Sequence, residues 1–166
     1  MALGFGEQIS LPRNTSKVRS ELLNPSKPLS KMIAEAIAEI DKLCFGATDA
    51  QLRRMQREIQ DPTAIVSILK RGKKVVGYSY ALPDPAVEGA VYIHSTAIHP
   101  SEQHKGLVGK LMAKMEAEMR RRGFSSFTRD CMIDNGYADT VQRHYGDRII
   151  KMFDRFFNRR SFQITL

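Results

Sequence analysis

A chain of 166 residues, 42% hydrophobic and 27% charged, is long enough for one cored domain and cramped for two, and its composition excludes global disorder. No apolar run approaches the roughly 18–20 residues of a membrane-spanning helix. The start has no apolar stretch of the secretion-signal kind, and the two cysteines, Cys44 and Cys131, make neither a disulfide framework nor a zinc-ligand cluster. A reducing, cytoplasmic setting without a membrane or metal partner is expected. Twenty-six Lys+Arg against 18 Asp+Glu leave a formal charge of +8, which favours an anionic partner such as nucleic acid, an acidic surface or a phosphate-rich cofactor.

Residues 1–28 read as an extended arm, because Pro12, Asn14, Pro25 and Pro28 punctuate it and its apolar residues follow no period. The spacing predicts a helix over 30–45, where Ile33, Ala36, Ile37, Ile40 and Cys44 recur at three and four, stopped by Gly46. Thr48 with Gln51 forms a capping box that starts a second helix, closed at Asp61-Pro62. The period then changes to two. Strands are expected over 64–69 and 74–82, turning at Arg71-Gly72, and over 91–98, stopped at His99-Pro100. The longest helix is placed at 103–122, with Leu107, Leu111, Met115 and Met119 spaced by four and Gly123 as its stop. A strand over 124–132, a short helix over 137–145 and a closing strand pair over 149–157 and 161–166 follow. The order αα-βββ-α-β-α-ββ predicts an α/β fold, a mixed sheet with helices on both faces, and a parallel crossover from Val91 to Met132.

Chemistry concentrates where a strand passes through a short polar loop into that helix: Ile98, His99, Pro100, Ser101, Glu102, Gln103, His104, Lys105, Gly106, Leu107, Val108, Gly109, Lys110. The first turn of a helix offers free N–H groups and the positive end of its dipole. Glycines let backbone approach a ligand closely, and lysines add charge, so the segment has the makings of a pyrophosphate cradle. Gly106 and Gly109 serve equally well for tight packing. Upstream, the period of two puts Tyr92, His94, Thr96 and Ile98 on one face of the strand. His94 there is either a general base or a hydrogen-bonded sheet residue.

Gln103-x-x-Gly106-x-Val108, with the strand before it and the element order around it, resembles the Q/R-x-x-G-x-G/A motif of the GNAT (Gcn5-related N-acetyltransferase) superfamily, over about residues 30–166. The resemblance implies a mostly antiparallel twisted sheet and acetyl-CoA, or another acyl-CoA, as donor. It implies pyrophosphate on the N–H groups of Gln103, His104, Lys105, Gly106, Leu107 and Val108, continuing to Gly109 and Lys110, with the pantetheine arm pairing beside Ile98. Two positions depart from the family pattern. Val108 stands where Gly or Ala is usual. In the later N-x-x-A-x-x-x-Y pattern, Asn135 and Ala138 are in register but the tyrosine position is Gln142, with Tyr145 three residues on. By that resemblance Asn135 joins the cofactor contacts and Tyr145 is the candidate acid for the CoA thiolate. His94 is the candidate base for the amine, since an ammonium has no lone pair for attack.

The leading expectation is an N-acetyltransferase that moves an acetyl group from acetyl-CoA to a primary amine by direct attack in a ternary complex. The rival is a catalytically degenerate domain of the same fold that serves a larger assembly, such as a virion, through the arm. Nucleic-acid-bound amines have only the charge in their favour.

Overall fold

The computed structural model describes residues 17–166. Seven strands form one sheet: β1 (Val18–Leu22), β2 (Ile65–Arg71), β3 (Lys74–Pro83), β4 (Ala90–Ile98), β5 (Ser126–Met132), β6 (Ile149–Arg155) and β7 (Arg159–Thr165). Their spatial order is β1-β2-β3-β4-β5-β7-β6. Every neighbouring pair is antiparallel except β4–β5. The helices are α1 (Lys31–Phe45), α2 (Asp49–Ile59), α3 (Val108–Arg121) and α4 (Tyr137–Tyr145). The expected mixed, mostly antiparallel sheet and the β4–α3–β5 parallel crossover are present.

The helices lie on both faces of the sheet because β2 and β3 are apolar on both. Val66, Ile68, Tyr78 and Tyr80 pack with Ile37 and Ile40 of α1 and Leu52, Met55 and Ile59 of α2. Ile65 and Ala81 point the other way, into a core with Met112, Met115 and Met119 of α3 and Val141 and Tyr145 of α4. The helix ends follow their capping chemistry. Ser30 accepts from the Ile33 N–H, Gly46 closes α1 at φ 63°, and Thr48 and Gln51 bond reciprocally at the start of α2.

Two features differ from the sequence expectation. Within the segment read as an arm, β1 pairs along its whole length with β2, and Val18 is buried against Leu69, Val76 and Leu111. Its short VRSEL segment has too few apolar residues for a period to be seen. Residues 1–16 of that segment lie outside the described residues. The second difference is the start of α3. The expected helix begins at 103, whereas residues 100–102 make a separate 3-10 turn and α3 begins at Val108. Between them His104 and Gly106 take positive φ, 61° and 68°, which an α-helix cannot contain.

Candidate active site

β4 and β5 pair only from Ala90–Ser126 to Ile93–Arg129. β4 runs on to Ile98 and β5 to Met132, so beyond that last rung the two strands part and leave an open fork in the sheet. The same point carries a bulge. Tyr80 pairs with Ser95 but Ala81 pairs with Ile93, which leaves His94 without a partner on β3. A bulge inserts a residue and turns every later side chain to the opposite face. The expectation that Tyr92, His94, Thr96 and Ile98 share a face is therefore corrected. Tyr92 and His94 lie on the α2 side, His94 against Glu58 and Tyr80. Thr96 bonds Ser79, and Ile98 packs beside Leu107 and Leu111 of the α3 side. No sequence period reveals a bulge.

His94 stacks on Tyr80 with ring centroids 5.4 Å apart and meets Tyr92 edge-on at 4.8 Å. Its Nδ1 is 3.8 Å from Glu58 Oε2. Glu58 accepts from the Tyr80 hydroxyl at 2.7 Å and from Arg54 Nε at 2.7 Å. Burial raises its pKa, but those two bonds, with the nearby His94 and Arg54 charges, outweigh burial and hold the carboxyl below its usual pKa, as an anion. Burial pushes His94 below its ordinary 6.5, and the Glu58 charge opposes that shift without reversing it. At neutral pH the imidazole is thus a neutral acceptor, partly exposed and steadied by an anion. Glu58 is a site residue that sequence reading missed. It stands one position before Ile59 of the α2 stripe and looks like an ordinary solvated charge.

At the mouth of the fork, His99 N–H donates to Val76 O, so by strand alternation Ile98 turns its own backbone groups away from β3. The Ile98 carbonyl already accepts from Gln103 Nε2 at 3.0 Å and from the Cys44 thiol at 3.2 Å. Its N–H remains for an incoming chain. The loop beyond is pinned by Glu102, which takes a two-pronged bond from Arg71 and an ion pair from Lys105 at 3.0 Å. The Arg71 bonds, with Lys105 adding to them, hold the Glu102 carboxyl at a pKa of about 2. Past it, the N–H groups of residues 104–109 form no hydrogen bond with a described acceptor, and Leu107, the cap of α3, makes no side-chain cap bond. A Cβ at Gly106 or Gly109 meets nothing within 4 Å, so the space over the row is open. Val108 is half-buried against the α3-side core, which leaves Gly109 as the open position of that turn. Lys110 Nζ reaches Val18 O at 3.3 Å.

The two expected catalytic residues are not brought together. Tyr145 is 5% exposed in the α3–α4 core and donates to Glu116 Oε1 at 3.2 Å. Burial and the Glu116 charge push its phenol far up. Gln142 accepts from Arg160 of β7 instead. Three residues along a helix leave the two side chains pointing about 60° apart, and here that separates core from sheet edge. Asn135 accepts from the Tyr137 N–H at 3.0 Å, in a turn just ahead of Gly136, the N-cap of α4. A cavity of about 440 Å³ between Leu23, Ile65 and Arg122 lies away from this chemistry.

Residues 34–144 match the model of the acetyltransferase (GNAT) family. The chain belongs to the GNAT family. A search of curated proteins finds no match. Among solved structures, this GNAT chain resembles the ribosomal-protein-S18-alanine N-acetyltransferase of Escherichia coli, with TM-score 0.66 and 13% identity over 89% of this chain and 92% of that one. It also resembles PaiA N-acetyltransferase of Thermoplasma acidophilum, solved with coenzyme A, at TM-score 0.59 and 12% identity over 89% and 99%. An aminoglycoside 6'-N-acetyltransferase, likewise with coenzyme A, matches at TM-score 0.65 and 11% identity over 88% and 96%. At such identities the likeness concerns the fold. Family and fold are together those of acyl-CoA N-acetyltransferases in general.

Proposed function

We propose that this GNAT protein transfers an acetyl group from acetyl-CoA to a primary amine by direct attack in a ternary complex. The observation that carries the reading is the open β4–β5 fork continuing into a row of unbonded N–H groups at the start of α3. Pyrophosphate suits that row, because free N–H groups and a helix dipole stabilise an anion without needing a side-chain cation. Lys105 is tied to Glu102 and contributes charge rather than a direct bond. The pantetheine lies in the fork as a strand would, taking the Ile98 N–H. His94 accepts the amine proton on the α2 side, and Glu58 stabilises the imidazolium that forms. The nitrogen lone pair then forms the amide bond as the C–S bond breaks.

Melting-temperature titration with acetyl-CoA tests the donor site. Donor at about 100 times its dissociation constant adds about 2.7 kcal/mol to stability. Gly106→Glu removes that gain by placing a carboxylate on the anion row, while Gly106→Ala, which carries only the strain of φ 68°, keeps it. An unshifted parent at millimolar acetyl-CoA overturns the reading and favours a degenerate domain, the second reading that the engaged Tyr145 and Gln142 support.

A further inference from the structure

Unfavourable choices accumulate at the turn between β6 and β7, which is Phe156, Phe157 and Asn158. Phe156 is 90% and Phe157 91% exposed, so two large apolar rings stand side by side in water. Phe157 has φ 60°, a left-handed conformation that a bulky side chain adopts at a cost and glycine adopts freely. The rung that closes the hairpin sets Arg155 opposite Arg159, and like charges directly opposite destabilise a ladder. Asp154 does not relieve that pair, because Arg160 takes both its oxygens. Asp130 meets only Arg155, at 3.3 Å, and Arg159 is exposed. The turn is nevertheless pinned, since the Asn158 carbonyl accepts from the Ile133 N–H at 3.0 Å. Folding gains nothing from these residues, and strain of this kind gathers where a surface is used.

The same chemistry continues along β6. Met152 pairs with Phe162 of the α3-side core, so by alternation Phe153 and Arg155 face the other way. That is the face of His94, because Tyr92, against the His94 ring, donates to the Asp130 carboxylate that also receives Arg155. The Phe153 ring is 44% exposed, with Lys151 Nζ and the Arg155 guanidinium each 5.5 Å from its centroid. Cation, ring and cation thus follow one another along an exposed strand and lead to two more rings at the tip. The tip stands at the end of the sheet where the fork opens, since Arg159 pairs with Met132, the last residue of β5.

We propose that the β6 strip and the Phe156–Phe157 turn bind single-stranded nucleic acid. Unstacked bases lie on the aromatic rings, and phosphates meet Lys151, Arg155 and Arg159. A duplex hides its base faces and gives the rings nothing to stack on. An anionic lipid surface also attracts aromatic and basic groups, but it suits an apolar tip with the cations held behind it. Here two cations flank Phe153 on the strand itself, so seating that ring in lipid would drag charge in with it. Binding at this surface involves neither acetyl-CoA nor His94 and stands independently of acetyl transfer.

The chain has no tryptophan, so Phe156→Trp places a single fluorescent reporter at the tip and keeps an aromatic ring there. Oligouridine and oligothymidine of about 12 nucleotides, within the usual site sizes, should quench it by base stacking, and comparing the two shows whether RNA or DNA is preferred. By fluorescence anisotropy with the same labelled strands, Phe156→Ser combined with Phe157→Gly should weaken binding at least about tenfold. The glycine relieves the positive φ, so this variant keeps the fold. Arg155→Gln and Arg159→Gln should each lower the slope of log affinity against log salt by about 0.7. Equal affinity in the parent and the Ser/Gly variant overturns the proposal, because charge elsewhere then holds the strand. A parent that binds neither oligonucleotide overturns it as well. So does a tip tryptophan that ignores both strands and shifts to the blue only on vesicles containing phosphatidylserine, which makes the tip a lipid anchor, or only with rising protein concentration, which makes it a contact between copies.

Discussion

His94 lies between competing influences, and their balance sets how the rate depends on pH. Burial favours the neutral ring and outweighs the Glu58 carboxylate, which favours the charged one. The rate should therefore rise with pH through an inflection below 6.5 and be level by neutrality. Stability follows the same sign. The unfolded chain binds more protons between the depressed folded pKa and 6.5, so stability from this group is present above that window and lost as pH falls through it. His94→Ala should remove the inflection and slow turnover by about 10²–10⁴-fold, the range for a lost general base, with acetyl-CoA affinity unchanged. His94→Gln controls for shape. Glu58→Gln should move the inflection further down, because it removes the charge that favours the imidazolium. A pH–rate profile identical in parent and His94→Ala would make His94 a sheet residue only.

At the scale of elements, the end of β4 joins base and cradle, and Gly77 of β3 sets how closely that end approaches. A Cβ at Gly77 would come 2.7 Å from Ile98 Cδ1, 3.1 Å from Ala97 O and 3.2 Å from Leu69 Cδ1. The Ile98 methyl can swing away, but the Ala97 carbonyl belongs to the β3–β4 ladder and moves only with the strand. Gly77→Ala should cost about 1–3 kcal/mol, as overpacking does, and should weaken CoA binding because Ile98 and its Gln103 tether move with β4. Denaturant melts and a CoA titration on the same sample read both effects. Unchanged stability would mean that the strands separate without cost, and the cradle would then not depend on β3.

Across the whole molecule, β1 closes one edge of the sheet and seals the cluster beneath the loop. Val18 covers Leu69, Val76, Ile98, Leu107 and Leu111, and its carbonyl receives Lys110. A chain starting at Lys17 keeps every contact that β1 makes with the described residues. A chain starting at Asn24 loses its ladder with β2, exposes the β2 edge, and should melt lower and bind CoA less well. Thermal melts of the two truncations check this, and equal midpoints would show that β1 is dispensable. The opposite edge is different. β6 is exposed along most of its length, and the hairpin joining it to β7 carries Phe156 and Phe157, each about 90% exposed.

Periodicity marked α1, α2, the body of α3 and the strands β2 to β5 and β7, because each presents an apolar face whose spacing is local, and the order of the elements implied the parallel crossover. The capping box at Thr48 and the stops at Gly46 and Gly123 were equally legible, since a cap is decided within a few residues. The glycine-bearing loop at 103–109 was readable as a candidate anion site for the same reason. Tertiary structure decided the rest. VRSEL becomes a strand only because β2 offers an edge. His94 changes face only because β4 bulges against β3, and Glu58 reaches it only because α2 packs across that face. Three residues on α4 send Gln142 to a strand and Tyr145 into the core. Each of these depends on residues tens of positions apart in the chain meeting in space, and nothing in the local spacing of side chains encodes that meeting.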